Sequence, residues 1–329
     1  MIKQKMRRPI LTIASIMIAL LTVWLWLRIF EVTTEDVNSL LAGMRWAWLP
    51  VTFVFLAAHV GLSAWKWSDI EVSLGGTRPS LRTAFASGAF AMGLGTFLPA
   101  PLINVACRSL ANKFSGSSTS RGAVSGTLDQ FSDFFVFAWF AIPAALALLH
   151  NDARIYLWGA PGAFLAGFAV IFLLSAMQPL LQRYWPFARK DWIATLLDKG
   201  LLARIYSIAT LRLINLTLIT VTVHLASGAA TISSLLVSVP IVTVAISVAM
   251  LPGAIGVAEW SFSAVLALQG IVTDSVVNFV LANRLILTAL PLILAFAVLL
   301  FLIASKGKKK PIQASGNGGS AGANQLSGK

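Results

Sequence analysis

Long apolar stretches alternate along the chain with short clusters of charged residues. A helix needs about 20 predominantly apolar residues to cross the hydrocarbon core of a bilayer. Six segments meet this requirement with few or no charged residues, namely 9–27, 46–65, 122–149, 155–177, 207–226 and 276–305. The pattern therefore predicts an all-α polytopic membrane protein with about six full transmembrane helices.

Two further apolar segments are interrupted by helix-breaking residues. The first, 83–107, contains Pro99, and the second, 231–270, contains Pro252 and Gly253. Each is either a re-entrant hairpin or a pair of full crossings, because both arrangements return the chain to its starting side. We predict two broken re-entrant hairpins that open from opposite sides of the membrane. Such segments at matching places are typical of an inverted repeat with a binding site between the halves. The alternative is that Pro and Gly are simply common in membrane helices.

Basic residues orient these helices relative to the membrane. Four of them precede the first apolar segment, and four lysines follow the last one within residues 306–310. Because basic residues accumulate on the cytoplasmic side, we expect both termini there. The first segment lacks a small-residue cleavage site at its end, so we expect it to remain as an uncleaved helix.

Two stretches outside the apolar segments have distinct compositions. Residues 178–204 interleave basic residues with aromatic and aliphatic ones, which predicts a cytoplasmic loop with an amphipathic surface helix. Residues 306–329 are rich in Gly, Ser, Asn and Lys. We therefore predict a transmembrane domain over 1–305 and a disordered basic cytoplasmic tail over 306–329.

The overall composition excludes several function classes. The 329 residues are 57% hydrophobic and 11% charged, with a mean hydropathy of +0.82, whereas globular domains carry roughly 25% charged residues. A net charge of +13 fits contact with anionic lipid at a cytoplasmic face, so nucleic acid is not an expected partner. The single cysteine, the three dispersed histidines and the lack of nucleotide-binding or hydrolase motifs predict no metal, no cofactor and no catalytic residue.

Glu259 stands alone in a long uncharged stretch. Residues 213–258 contain no Asp, Glu, Lys or Arg, and the next charge after Glu259 is Asp274. Intramembrane acids usually mark substrate or proton pathways. We expect the break at Pro252 to end one helix, and Gly256 to allow a close approach before a short helix starts near Glu259. Glu259 then either faces a cavity and contacts a headgroup or proton, or forms a structural pair with Arg284.

Other charged residues in apolar segments each have two interpretations. Asp129 and Asp133 share a helix face, and they either relay protons or receive a cationic group, or lie solvated near the cytoplasm. Arg284 is either a phosphate ligand or the partner of Glu259. Arg108 is either a phosphate contact or, as we favour, an interfacial anchor.

Two isolated polar residues are assigned structural roles. We interpret His59 as a hydrogen-bonded core residue rather than a relay, and Arg212 as a residue of the membrane interface. The apolar segments that contain them supply no nearby charged residue that would suggest a site.

The second break resembles a signature of a known family. Its residues are similar to the second signature of the lysylphosphatidylglycerol synthase transmembrane, or flippase-like, family: Leu251-Pro252-Gly253, Gly256, Glu259, Gly270-Ile271 and Asn283-Arg284. The family's first signature has the order Pro, Gly-Glu, Arg and Glu-Arg-x-x-Asp. Pro99, Arg108 and Asp133 fit it. Ile103-Asn104 stands where Gly-Glu is usual, and Asp129-Gln130 stands where Glu-Arg is usual. The resemblance covers about residues 10–305.

The resemblance implies an inner-membrane protein of bacteria that moves or handles a charged phospholipid or a polyprenyl phosphate. Because no soluble synthase domain is expected after the last helix, lysyl transfer to lipid is not expected either. The departures in the first signature affect residues that would contact the headgroup. The residues predicted to bind substrate or line a lipid path are Pro99, Asn104, Arg108, Asp129, Asp133, Pro252, Gly253, Gly256, Glu259 and Arg284.

Three functions are compatible with these features. The first is a lipid transporter, which would use an ion gradient or the gradient of its substrate because no ATP site is found. The second is a membrane partner that presents lipid to a separate enzyme. The third is a lipid-linked glycosyl or acyl transferase, which needs a base and a donor site that the sequence does not supply. Membrane lipid is the expected partner. The sequence is also compatible with a homo-oligomer and with a complex with a partner enzyme.

Overall fold

The computed structural model describes residues 17–306 except 19, 181–197, 229–230 and 250. Within these ranges the chain is helical and forms no strand, which confirms the all-α prediction. A short 3-10 turn spans Trp46–Trp48. The α-helices are α1 Leu20–Ile29, α2 Thr34–Gly43, α3 Leu49–Ser73, α4 Leu81–Leu94, α5 Ala100–Phe114, α6 Thr119–Leu149, α7 Ala153–Ala176, α8 Lys199–Ser227, α9 Ile232–Ala249, α10 Val257–Leu268 and α11 Thr273–Lys306.

Six helices in the described ranges are long and apolar enough to cross a membrane: α3 with the turn before it, α6, α7, α8, α9 and α11. Five of them coincide with predicted full helices. About half of the predicted first helix, 9–27, lies outside the described residues, and α1 covers its second half. Residues 181–197 of the predicted loop and surface helix, and the tail after Lys306, also lie outside them. The end of the predicted loop, 199–204, belongs to the helix α8 instead. The sixth spanning helix, α9, comes instead from the second broken segment.

The two broken segments differ in their helix lengths. In the first, α4 and α5 have 14 and 15 residues, which at about 1.5 Å per residue gives roughly 21 and 22 Å. Neither reaches the thickness of a hydrocarbon core of about 30 Å, as a re-entrant hairpin requires. In the second, α9 has 18 residues and α10 only 12. The two segments are therefore not equal hairpins, because the irregular backbone continues to Gly256 and leaves only Val257–Leu268 for α10.

The two breaks lie side by side. Pro99 and Pro252 form an isolated antiparallel bridge, and the Gly253 N–H donates to the Leu98 carbonyl oxygen at 3.3 Å. Gly253 has a φ of 58°, and a Cβ at this position would collide with the carbonyl oxygen of Thr96. A glycine is required there because both the backbone angle and the close contact exclude a side chain. The contact also satisfies backbone groups that the breaks leave without helical partners.

Two apolar clusters pack the helices around these breaks. The larger joins α3, α8, α9, α10 and α11, with Leu56, Ile219 and Phe279 among its fully buried members. The smaller joins α6, α7, α8 and α9 around Phe137 and Tyr206. Large apolar side chains cover the outer faces of the long helices, as expected for surfaces that face lipid. Because lipid is as apolar as these side chains, close packing and polar contacts hold the helices together.

The N-terminal helix α1 is tied to the second broken segment. The Trp26 indole N–H donates to Ser263 Oγ at 2.9 Å, and the Trp260 indole N–H donates to the Thr22 carbonyl oxygen at 3.1 Å. Trp26 is almost completely buried. These contacts fix the short helix α10, and so fix the position of Glu259 within it.

Candidate functional site

A cavity of about 240 Å³ lies against the point where the two breaks meet. We call it the break cavity. Its wall combines the break between α4 and α5 with residues of α8, α9, α10 and α11. Most of the wall is apolar, and its polar residues are Thr96, Thr220, Thr243, Glu259, Asn283, Arg284 and Thr288. A few polar groups in an apolar concave surface are typical of ligand sites.

Glu259 is the third residue of α10, and its position is set by the glycine before the helix. Gly256 has a φ of 83°, and its N–H donates to Glu259 Oε2 at 2.8 Å. The acid thereby satisfies an N–H at the helix start, where the helix dipole favours a negative charge. A Cβ on Gly256 would collide with the Thr22 side chain. The predicted close approach at Gly256 and the helix start near Glu259 are both confirmed.

Arg284 connects α11 to the acid and to the break. Its Nε lies 3.4 Å from Glu259 Oε1, and its Nη1 donates to the Gly253 carbonyl oxygen at 2.9 Å. The ion pair expected between Glu259 and Arg284 is therefore present. The Arg284 side chain remains 31% exposed, whereas that of Glu259 is 6% exposed. Because a guanidinium has five N–H donors, Arg284 keeps donors for a ligand in the cavity.

Asn283 contributes a polar atom without a partner to the same cavity. Its side-chain oxygen is buried and accepts no hydrogen bond, and the residue lines the cavity wall. A buried acceptor without a donor is unfavourable by about 1–3 kcal/mol. A donor on a bound ligand, or a water molecule, would remove this cost.

Five charged side chains from four helices meet in a second place, which we call the buried ion network. It consists of Lys66, Arg108, Asp129, Asp133 and Arg212, all of them buried. Arg108 Nη1 lies 2.6 Å from Asp129 Oδ2, and Lys66 Nζ lies 3.2 Å from Asp129 Oδ1. Asp133 pairs with both Lys66 and Arg212. Each carboxylate thus lies beside two cations, which compensate its negative charge in the protein interior.

Neutral side chains complete the surroundings of the two arginines. Arg108 donates from Nη2 to Ser63 Oγ at 2.7 Å and from Nε to Asn104 Oδ1 at 3.0 Å. Its guanidinium carbon also lies 5.2 Å from the centre of the Trp67 ring, a distance at which the ring attracts a cation. Arg212 Nη2 lies 2.9 Å from His59 Nε2. The predicted hydrogen-bonded core position of His59 is confirmed.

Several expectations about this region are wrong. Arg108 is 1% exposed and Arg212 is 7% exposed, so neither is a residue of the membrane interface. Of the two alternatives for Asp129 and Asp133, the solvated one is also wrong, because both are buried and each is paired with cations. The physical reason is the same in each case. Opposite charges from different helices compensate one another, so the side chains do not have to reach water.

The predicted site residues therefore fall into two groups. The structure places Gly253, Glu259 and Arg284 in the wall of the break cavity, with Gly256 at the start of α10. Pro99 and Pro252 form the bridge between the breaks. Asn104, Arg108, Asp129 and Asp133 lie in or beside the buried ion network. Sequence reasoning missed Lys66, Arg212 and Ser63. One signal was present in α3, because His59, Ser63 and Lys66 are spaced by four and three residues and share a helix face.

Two helices connect the break cavity to the buried ion network. On α5, Ala100 lines the cavity, and Asn104 and Arg108 follow at intervals of about one helical turn. On α8, Leu216 lines the cavity and Arg212 lies about one turn away. Arg108 and Arg212 are therefore the charged residues of α5 and α8 that lie nearest to the cavity along these two helices.

Comparison with known proteins agrees with the resemblance found at the second break. A family model for the lysylphosphatidylglycerol synthase TM region matches residues 11–295. Neither the curated proteins nor the solved structures contain a match to the chain. The matched range includes both breaks, the break cavity and the buried ion network. The chain therefore belongs to the lysylphosphatidylglycerol synthase transmembrane family.

Proposed function

We propose that this protein is a flippase-like transporter that moves a charged phospholipid or a polyprenyl-phosphate-type lipid across the bacterial inner membrane, with both of its termini in the cytoplasm. The observation that carries the proposal is the contact of Pro99 with Pro252 beside a cavity that holds Glu259 and Arg284. Broken helices with charged groups at the break are where membrane transporters bind substrate. Membrane proteins tolerate irregular backbone only where protein or a water-filled cavity surrounds it.

The cavity suits a headgroup rather than a whole lipid. Its volume of about 240 Å³ is below the range of about 300–1,000 Å³ that is usual for sites that enclose a drug-sized ligand. A phosphate would bind the Arg284 guanidinium, and a proton or a cationic group would bind Glu259. The hydrocarbon chains would remain in the surrounding lipid. Transport would then use an ion gradient or the gradient of the lipid itself.

One observation favours a second candidate, a membrane partner that presents lipid to a separate enzyme. Lys66, Arg108 and Asp129 form buried ion pairs inside the helix bundle. A headgroup that passed between these helices would have to break the ion pairs. A protein that binds the headgroup without moving it would leave this network closed.

Reconstitution in liposomes separates the two candidates. The probes are fluorescent phosphatidylglycerol, a fluorescent polyprenyl phosphate and zwitterionic phosphatidylcholine, and a membrane-impermeant quencher reports the fraction in the outer leaflet. For a transporter we expect complete quenching of at least one charged probe, and quenching of only about half of it in protein-free liposomes. Binding of a charged probe without exchange would support the presenting role instead.

A further inference from the structure

The buried ion network carries an excess of one positive charge. Lys66, Arg108 and Arg212 are its cations, whereas Asp129 and Asp133 are its only carboxylates. Among the described residues, the other acids of α3 form no ion pair with these cations. Asp69 pairs with Arg78 and Arg204 near the end of the helix. Glu71 is buried, and neither of its carboxylate oxygens accepts a hydrogen bond. A buried charge without a counter-charge is strongly unfavourable.

The network also contains donors that lack acceptors. Arg212 Nε is buried and donates to no acceptor, and His59 Nδ1 next to it is likewise unpaired. A guanidinium N–H without an acceptor is unusual in a protein interior, because most buried polar groups are hydrogen-bonded. The unpaired donor and the excess charge indicate the same missing component, which is an anionic acceptor.

Asn104 marks the side from which an anion would approach. It is half-buried, whereas the five charged residues are buried. Its Oδ1 accepts from Arg108, and it lies about one turn from Ala100, which lines the break cavity. A ligand in the cavity therefore meets Asn104 before it meets the arginines.

We infer that the buried ion network is an anion site that takes one phosphate group on Arg108 and Arg212, at the edge marked by Asn104. Guanidinium groups match phosphate oxygens with two parallel hydrogen bonds, and phosphate supplies the missing negative charge. The inference rests on the proposed function and narrows its substrate class. It limits that class to lipids whose headgroup carries an anionic phosphate. A lipid phosphate and a free phosphate share this chemistry.

The substitution Asn104→Asp tests the inference with a nearly isosteric change. It places a carboxylate beside Arg108 and balances the network from within the protein. We expect it to weaken phosphate binding by about tenfold or more. The added carboxylate repels the anion and also neutralises the positive charge of the network that would attract it. The matched control is Asn38→Asp on the exposed surface of α2, which adds the same charge far from the network and should leave binding unchanged.

Binding is measured on the full chain in a non-ionic detergent, as a dissociation constant and as the ligand-dependent rise of Tm. The probes are inorganic phosphate, phosphatidic acid and phosphatidylcholine. Binding of phosphatidic acid that Asn104→Asp weakens, with Asn38→Asp unaffected, supports the site and a lipid source. The same pattern with inorganic phosphate alone supports the site but assigns it to a free anion. No binding of either anion, or binding that is insensitive to Asn104→Asp, overturns the inference.

A second variant covers the case in which Asn104→Asp does not fold. Arg212→Lys keeps the positive charge beside Asp133 but removes the paired donors of a guanidinium. It should also weaken phosphate binding, and unchanged binding would overturn the inference. The liposome assay separates this failure from failure of the proposed function. Anion binding without lipid exchange would support the anion site and contradict transport. Lipid exchange without anion binding at Asn104 would contradict the anion site and support transport.

Discussion

Arg108 Nη1 lies 2.6 Å from Asp129 Oδ2, and neither side chain is more than 1% exposed to solvent. The pair joins the first broken segment to α6 inside the helix bundle. Lys66 from α3 approaches the same carboxylate at 3.2 Å. The carboxylate of Asp129 therefore forms ion pairs that join three helices. Its removal should weaken the packing of all three.

Removal of Asp129 should destabilise the protein more than removal of Arg108. Asp129→Asn raises the excess positive charge of the network from one to two, whereas Arg108→Met balances it. We expect Asp129→Asn to lower the free energy of unfolding by about 3–5 kcal/mol and Arg108→Met to lower it by clearly less. Thermal or denaturant unfolding in detergent measures both. The control is the exposed substitution Glu35→Gln, and equal losses for the two network variants would contradict the charge count.

Gly256→Ala should cost more stability than Gly270→Ala. Both glycines have a positive φ, 83° and 74°, but only Gly256 faces a neighbour, the Thr22 side chain. The substitution at Gly270 meets backbone strain alone, which we expect to cost about 1 kcal/mol. At Gly256 the steric collision adds to this strain, so we expect Gly256→Ala to lower the free energy of unfolding by about 2–4 kcal/mol in total. Unfolding midpoints compare the two variants, and a similar loss at both positions would show that α1 does not pack closely at Gly256.

Cysteine labelling tests the orientation of α6. Cys107 is the single cysteine, so Cys107→Ser provides a background for Ser120→Cys and His150→Cys at the two exposed ends of this helix. Because Lys113 and Arg121 lie near Ser120, this end should be cytoplasmic. A membrane-impermeant maleimide should label His150→Cys in intact spheroplasts, and Ser120→Cys only after permeabilisation. The opposite pattern would reverse the orientation proposed for the whole chain.

The fold was largely predictable because most of its information is local. Apolar length predicted five of the spanning helices, and Pro252 with Gly253 predicted where the second segment breaks. The pairing of charges was not predictable in this way. Arg212 looks like an isolated interfacial residue along the chain, because its partner Asp133 lies 79 residues away in sequence. Only the packing of α8 against α3 and α6 brings these charges together.

The site at the second break was predictable for a related reason. Gly256 and Glu259 both lie at the start of one helix. Their spacing in the sequence is therefore enough to predict the turn and the position of the acid. The break cavity itself needs the first segment as well, since Thr96 and Ala100 form part of its wall and Pro99 pairs with Pro252. No local pattern predicts that contact, although the opposite sense of the two segments indicated that they would meet.

In the function that we propose, Glu259 takes part in lipid movement through the break cavity. Glu259→Gln removes the charge opposite Arg284 and retains an oxygen that can accept from the Gly256 N–H. The most direct measurement is leaflet exchange of the charged lipid probe in liposomes that contain wild type, Glu259→Gln or the control Glu35→Gln. Matched unfolding midpoints establish that all three are folded. The proposed role of Glu259 predicts fast exchange for wild type and the control, and exchange at the protein-free rate for Glu259→Gln. Exchange by Glu259→Gln at the wild-type rate would contradict it and leave Glu259 as a structural acid.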